Sequence, residues 1–100
     1  MISIAGTISI DPERIDTAMA AAHRVMEGTR SESGNIEYVF TVDSVTPGVL
    51  RVFERWESQE ALDTHFTTPH MAEFMAAMGD FGVTGTDVTK YEIASSAPLF

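Results

Sequence analysis

Phe53-Glu54-Arg55-Trp56-Glu57-Ser58-Gln59-Glu60-Ala61-Leu62-Asp63-Thr64-His65-Phe66-Thr67-Thr68-Pro69-His70 carries a strand into a helix, and its reading decides the fold. Leu50, Val52, Glu54 and Trp56 alternate with Val49, Arg51, Phe53, Arg55 and Glu57, so Val49 to Glu57 reads as a strand with two distinct faces. Ser58 is a helix cap, and Glu60 or Ala61 occupies the first turn that follows. Pro69 interrupts that helix, because the residue before a proline avoids helical angles, and then opens a second helical piece. Met71, Phe74, Met75 and Met78 are the expected buried face of that piece. The only tryptophan therefore ends a strand, with two imidazoles close behind it.

Working outward, residues 2–10 alternate strictly: Ile2, Ile4, Ile8 and Ile10 share one face with Gly6, whose missing side chain points to a bulge or a close approach. Asp11-Pro12-Glu13 starts a helix, and Ile15, Ala18, Met19, Ala22, Val25 and Met26 give it one apolar stripe. Glu27, Arg30 and Glu32 form its polar end, and Ser33-Gly34-Asn35 stops it. Ile36 to Asp43 is a second strand, Ser44 to Gly48 a turn, and Val83 to Ile93 a last strand with Gly85 breaking its pattern. Residues 94–100 read as a C-terminal tail.

The order is βαββαβ, the split βαβ or ferredoxin-like arrangement: an α+β fold with an antiparallel sheet and both helices on one face. Val39 and Phe53 fall on the other face, and a sheet with apolar side chains there packs on a second sheet. A homodimer supplies one economically.

With 100 residues there is room for one domain spanning 1–100. Fifteen acids against six bases give a formal charge of −9, spread along the chain, which repels phosphate backbones and anionic membranes; nucleic acid and membrane are not expected partners. No cysteine is present, which excludes disulfides and thiolate chemistry. The N-terminus alternates and lacks a basic region, so it does not read as a signal peptide, and no apolar run has spanning length; the expectation is a soluble cytoplasmic protein.

His65 and His70 are candidate bases, since histidine titrates near neutral pH; helix capping or a dimer contact is the alternative for each. Trp56 can stack on a planar ligand or fill the core. Glu54 shares its face and turns a carboxylate inward, to pair with an arginine or to do acid–base work. Tyr38 and Asn35 can hydrogen-bond a ligand oxygen, with turn chemistry the alternative for Asn35. Phe74 and Met75 are core residues or adaptable pocket walls. His23 is a flanking residue, and Arg51 and Arg55 point away from the Trp56 face towards ion pairs. The two histidines are five apart across a proline, which is not the one-face spacing of a helical metal site, so no metal is expected.

Gly34-Asn35-Ile36-Glu37-Tyr38, a turn near Pro47, and Phe53-Glu54-Arg55-Trp56-Glu57-Ser58-Gln59-Glu60-Ala61-Leu62 leading to His65 and Thr68-Pro69-His70 resemble the antibiotic biosynthesis monooxygenase (ABM) domain, in its small quinol-monooxygenase-like branch. The resemblance covers nearly the whole chain. It implies a dimeric α/β barrel, two sheets face to face, and a pocket in each subunit between sheet and helices. Some relatives oxidise hydroxylated aromatics with O2 and neither metal nor flavin; others degrade haem, isomerise phosphorylated metabolites or have no known activity.

Three readings follow. The first is a cofactor-independent monooxygenase oxidising a quinol or polyhydroxylated aromatic, with Trp56, Tyr38 and His65 catalytic and Asn35, Glu54, His70, Phe74 and Met75 around the substrate. The second is haem degradation on His65 or His70, against which stands the lack of an asparagine in residues 2–10, where haem-degrading relatives carry one. The third is a non-catalytic dimeric module that binds a small molecule.

Overall fold

The structure, a computed structural model, describes residues 1–100. Four strands, β1 (Ile2–Ser9), β2 (Asn35–Val42), β3 (Val49–Trp56) and β4 (Gly85–Glu92), form one antiparallel sheet in the order β2-β3-β1-β4. Helix α1 (Ile15–Arg30) joins β1 to β2, and α2 (Gln59–His65) and α3 (Pro69–Ala77) join β3 to β4. This is the ferredoxin-like arrangement, with the helices on one face.

Register explains which side chains face the helices. Ile2 stands opposite Trp56, Ile4 opposite Glu54 and Ile8 opposite Leu50, while Tyr38 and Phe40 stand opposite Glu54 and Val52. Because side chains alternate along a strand, these residues share one face and are buried, together with Ala18, Ala22 and Val25 of α1 and Phe74 of α3. Gly6 answers to a close approach: a Cβ there would meet the Asp87 carbonyl oxygen and lie 2.6 Å from Val88 Cα, so β1 and β4 could not pair at this register.

Each helix entrance is marked by a side-chain cap. Asp11 Oδ1 accepts from Glu13 N at 3.0 Å in a 3-10 turn, Pro12–Arg14, that precedes α1. Ser58 Oγ accepts from Ala61 N at 3.1 Å, and Thr68 Oγ1 accepts from Met71 N at 3.3 Å. Thr68 Oγ1 also donates to His65 O at 2.7 Å, so one hydroxyl closes α2 and starts α3.

Two expectations are corrected. Met75 is 56% exposed rather than buried: it lies about 100° around the helix from Phe74, on the edge of the stripe formed by Met71, Phe74 and Met78. The last strand begins at Gly85, not Val83, because Thr84 turns its N–H to Ser9 O before the ladder starts; Gly85 opens the strand instead of interrupting it. β4 is exposed along its whole length. The outer sheet face carries Ala5, Val39, Thr41, Arg51 and Phe53 around a hollow of about 340 Å3, with Phe53 exposed. Arg51 and Arg55 form ion pairs on that side, with Asp43 at 2.7 Å and Glu37 at 3.0 Å. No helix is long and apolar enough to cross a membrane.

Candidate functional site

Trp56, the last residue of β3, is fully buried under the helices. Tyr38 reaches it from β2, with ring centroids 6.4 Å apart, and His65 reaches it from the end of α2 at 4.8 Å; Tyr38 and His65 are 5.4 Å apart. The indole, the phenol and one imidazole thus form a single cluster. The strand-to-helix handover makes it: Ser58 starts α2 two residues after Trp56, and two turns later the helix places His65 back over the indole.

Glu54 lies within this cluster, 8% exposed, and its Oε1 accepts from Trp56 Nε1 at 2.9 Å. Its partner is therefore the indole and not an arginine. Burial pushes the Glu54 carboxyl from 4.5 up to about 7; the indole hydrogen bond lowers it in part, and the charge of Glu32 raises it further. Burial also drives the Tyr38 phenol well above its ordinary value, with the Glu54 charge adding to the effect.

Glu32, just beyond α1, ties the cluster to the second histidine. Its Oε2 lies 2.7 Å from His65 Nδ1 and 2.7 Å from His70 Nε2. With the carboxylate ionised, each of those nitrogens carries the ring proton and donates it, which leaves His65 Nε2 as the nitrogen with a free lone pair. The histidine spacing is not that of a one-helix site, but the chain bends at Phe66–Thr68 between two helices, and both rings converge on one oxygen.

The other candidates divide. Asn35 sits at an irregularity in the β2–β3 ladder, and its Nδ2 donates to Glu37 O at 3.2 Å, so its amide serves the backbone. Phe74 belongs to an adjoining aromatic layer, 5.1 Å from Phe40 and 5.9 Å from Phe81, while Met75 faces solvent. Neither reaches the indole. His23 is exposed on α1. Sequence reasoning missed Glu32, which reads as one acid among several at a helix end; only its distance from the histidines in space distinguishes it.

The ring cluster is closely packed. Besides the hollow on the outer sheet face, one further groove opens at the surface, about 370 Å3, beside Glu32, Glu57, Glu60, Thr64 and Thr68; neither is lined by Trp56 or Tyr38.

Comparison with known proteins agrees with this architecture. A family model described as "Antibiotic biosynthesis monooxygenase" matches residues 1–77. A Synechocystis protein, "Uncharacterized protein sll1783", is 33% identical over 98 residues, covering 98% of this chain and 67% of its own length. Among solved structures, Rv0793 from Mycobacterium tuberculosis superposes with a TM-score of 0.86 at 25% identity, over 97% of this chain and 98% of that one. A Deinococcus radiodurans protein named "putative antibiotic biosynthesis monooxygenase" gives a TM-score of 0.89 at 25% identity, over 100% of this chain and 99% of that one. With its sheet order, helix placement and the match over residues 1–77 in agreement, the chain belongs to the antibiotic biosynthesis monooxygenase family.

Proposed function

We propose that this protein is a monooxygenase that oxidises a quinol or polyhydroxylated aromatic with O2, using its own side chains and the substrate's electrons, and that it works as a homodimer. The observation that carries the reading is the Glu32–His65 contact of 2.7 Å, in a ring that also lies 4.8 Å from Trp56. A carboxylate on Nδ1 fixes the imidazole tautomer and leaves the opposite nitrogen free to accept a proton.

The chemistry follows from the electronic state of O2. Triplet oxygen reacts slowly with closed-shell molecules, but a phenolate gives up one electron readily. Removing the phenolic proton is therefore the step a protein can accelerate. His65 Nε2 takes that proton, Trp56 and Tyr38 hold the ring, and Glu54 is a second acid–base group already set near neutrality. One oxygen atom replaces a ring hydrogen to give a hydroxylated quinone and the other leaves as water, the substrate supplying all four electrons that reduce O2. The apolar surroundings exclude bulk water from the anion. Trp56, Tyr38 and His65 are at most 1% exposed, so a substrate reaches them only as the rings move apart.

The homodimer closes the outer sheet face. Phe53, Val39 and Ala5 there give an apolar surface suited to a second sheet, and pairing would form the dimeric α/β barrel. The close packing of the rings favours a second reading, a small-molecule-binding module without turnover. Oxygen uptake with a panel of hydroquinones in metal-free buffer separates the two. Uptake above autoxidation, abolished in Trp56→Ala and His65→Gln, supports the oxygenase. Binding of hydroquinones without excess uptake leaves only the binding module.

A further inference from the structure

The geometry points to a divalent transition-metal site at Glu32, His65 and His70. The donor atoms of the three residues all lie within 4.8 Å of one another, and the two nitrogens are each 2.7 Å from the same carboxylate oxygen. An ion about 2.1 Å from each donor would hold tetrahedral ligands roughly 3.4 Å apart. The set therefore reaches ligand positions by side-chain rotations that open each nitrogen–oxygen pair by about 0.7 Å and bring the two nitrogens, within 4.8 Å of each other, to the same spacing. Two imidazoles and a carboxylate suit Zn(II), Co(II), Ni(II) or Fe(II) and not Mg(II), which takes oxygen donors.

Three observations go beyond a hydrogen-bonded triad. Glu32 Oε1 is buried with no protein donor against it, so the triad satisfies only one of the two carboxylate oxygens. A cation held by both carboxylate oxygens would satisfy the second. Next, α1 carries Gly28 in its last turns, and a Cβ there would lie 2.6 Å from His70 Cγ and Nδ1. A residue poor for helices stands where the imidazole needs room, so the ring's position over α1 is built into the sequence. Finally, the groove of about 370 Å3 that leads to Glu32 is lined by Glu57 and Glu60 and by no lysine or arginine, on a chain of formal charge −9. Its field draws cations inward. The side chains of His65, Glu32 and His70 are 2%, 11% and 25% exposed, so the site is mostly sheltered and opens to water on the His70 side, where a fourth ligand would enter.

Coordination needs each ring proton on the opposite nitrogen, Nε2 for His65 and Nδ1 for His70, a change of tautomer without change of charge.

The test uses the full chain after EDTA treatment and dialysis. Calorimetric titration with Zn(II) is expected to give one ion per chain and a raised thermal midpoint, with no response to Mg(II). His70→Ala should weaken Zn(II) at least about 100-fold, beyond the range typical of losing an outer-sphere partner. Glu32→Gln should weaken it as well, and His23→Ala should leave it unchanged. Ring 15N spectra of the parent protein need no variant: Zn(II) should move His65 Nδ1 and His70 Nε2. The inference is overturned if Zn(II) does not bind, if only His23 responds, or if His70→Ala binds as tightly as the parent. The hydroquinone assay runs without metal, so failure here leaves the oxygenase reading standing, and the reverse holds.

Discussion

Replacing Glu54 by Gln should make the protein more stable at pH 8 and less active. Glu54 is buried, and its carboxyl titrates near 7 in the fold against 4.5 ordinarily. Below pH 4.5 the group is protonated in folded and unfolded chains alike, and nothing is lost. Between 4.5 and about 7 the unfolded chain releases the proton while the folded one retains it, so stability falls as pH rises. Above 7 both are ionised and the cost is complete. At roughly 1.4 kcal/mol per pH unit the interval amounts to about 3 kcal/mol, an order of magnitude for a group this buried.

Gln keeps an oxygen able to accept from Trp56 Nε1 but cannot ionise. Its new N–H2 must find an acceptor, and an unpartnered amide would offset about 1–3 kcal/mol of the gain. The robust quantity is therefore the difference between variant and parent across pH, which that fixed offset does not alter. Urea unfolding at one protein concentration, at pH 4, 5, 6, 7 and 8, should show the difference growing by about 2–3 kcal/mol in favour of Glu54→Gln. A difference curve flat from pH 4 to 8 would refute the argument, since it would mean that Glu54 ionises in the fold as easily as in water. If the same variant oxidises hydroquinones more slowly, the carboxyl is retained for activity at the expense of stability, as acid–base sites often are.

Trp56→Phe removes the only side-chain donor to Glu54, so its carboxyl should titrate still higher than about 7; carboxyl 13C shifts in the two proteins check this. In the parent, the emission of the single indole should change with a midpoint near 7, and Glu54→Gln should abolish that step. Gly28→Ala should lower the thermal midpoint even though alanine favours a helix by about 1 kcal/mol, because its Cβ would displace His70; a rise in midpoint would show that the ring moves aside freely. Phe53→Glu should give a monomer by analytical ultracentrifugation, with helix content unchanged by circular dichroism, because the substitution places a charge on the apolar outer face of the sheet and leaves the core untouched.

The sheet was legible because its signal is local. Ile2, Ile4 and Ile8 alternate with Ser3, Ala5 and Thr7, and Leu50, Val52 and Trp56 with Arg51, Phe53 and Arg55, and a period of two survives whatever the rest of the chain does. The caps Asp11 and Ser58 act within three residues and were readable for the same reason; Thr68 was read only as the residue before Pro69, and its capping role comes from the structure. The meeting of Trp56, Tyr38 and His65 needed one more step, the pairing of β2 with β3, and the fold supplies it. Glu32 was not legible. It is 33 residues from His65 and 38 from His70, and no periodicity links a helix end to a later helix bend. Met75 failed for the opposite reason: its apolar character is local, but exposure depends on how far the covering layer extends across α3.

The same histidine enters both functional readings, and its tautomer decides between them. As a base, His65 carries its proton on Nδ1, held by Glu32, and offers Nε2 to a phenol. As a metal ligand it binds through Nδ1 and must carry the proton on Nε2, where it can donate but no longer accept. One imidazole cannot do both at once. Glu32 is the residue common to the two states, because its Oε2 either holds the proton in place or shares an ion with it. A metal-loaded chain that still removed a phenolic proton would have to use Glu54, whose buried carboxyl is pushed up to about 7. On the proposed reading the two candidate bases therefore differ in what holds them: His65 is held by Glu32 at 2.7 Å and Glu54 by the indole N–H at 2.9 Å.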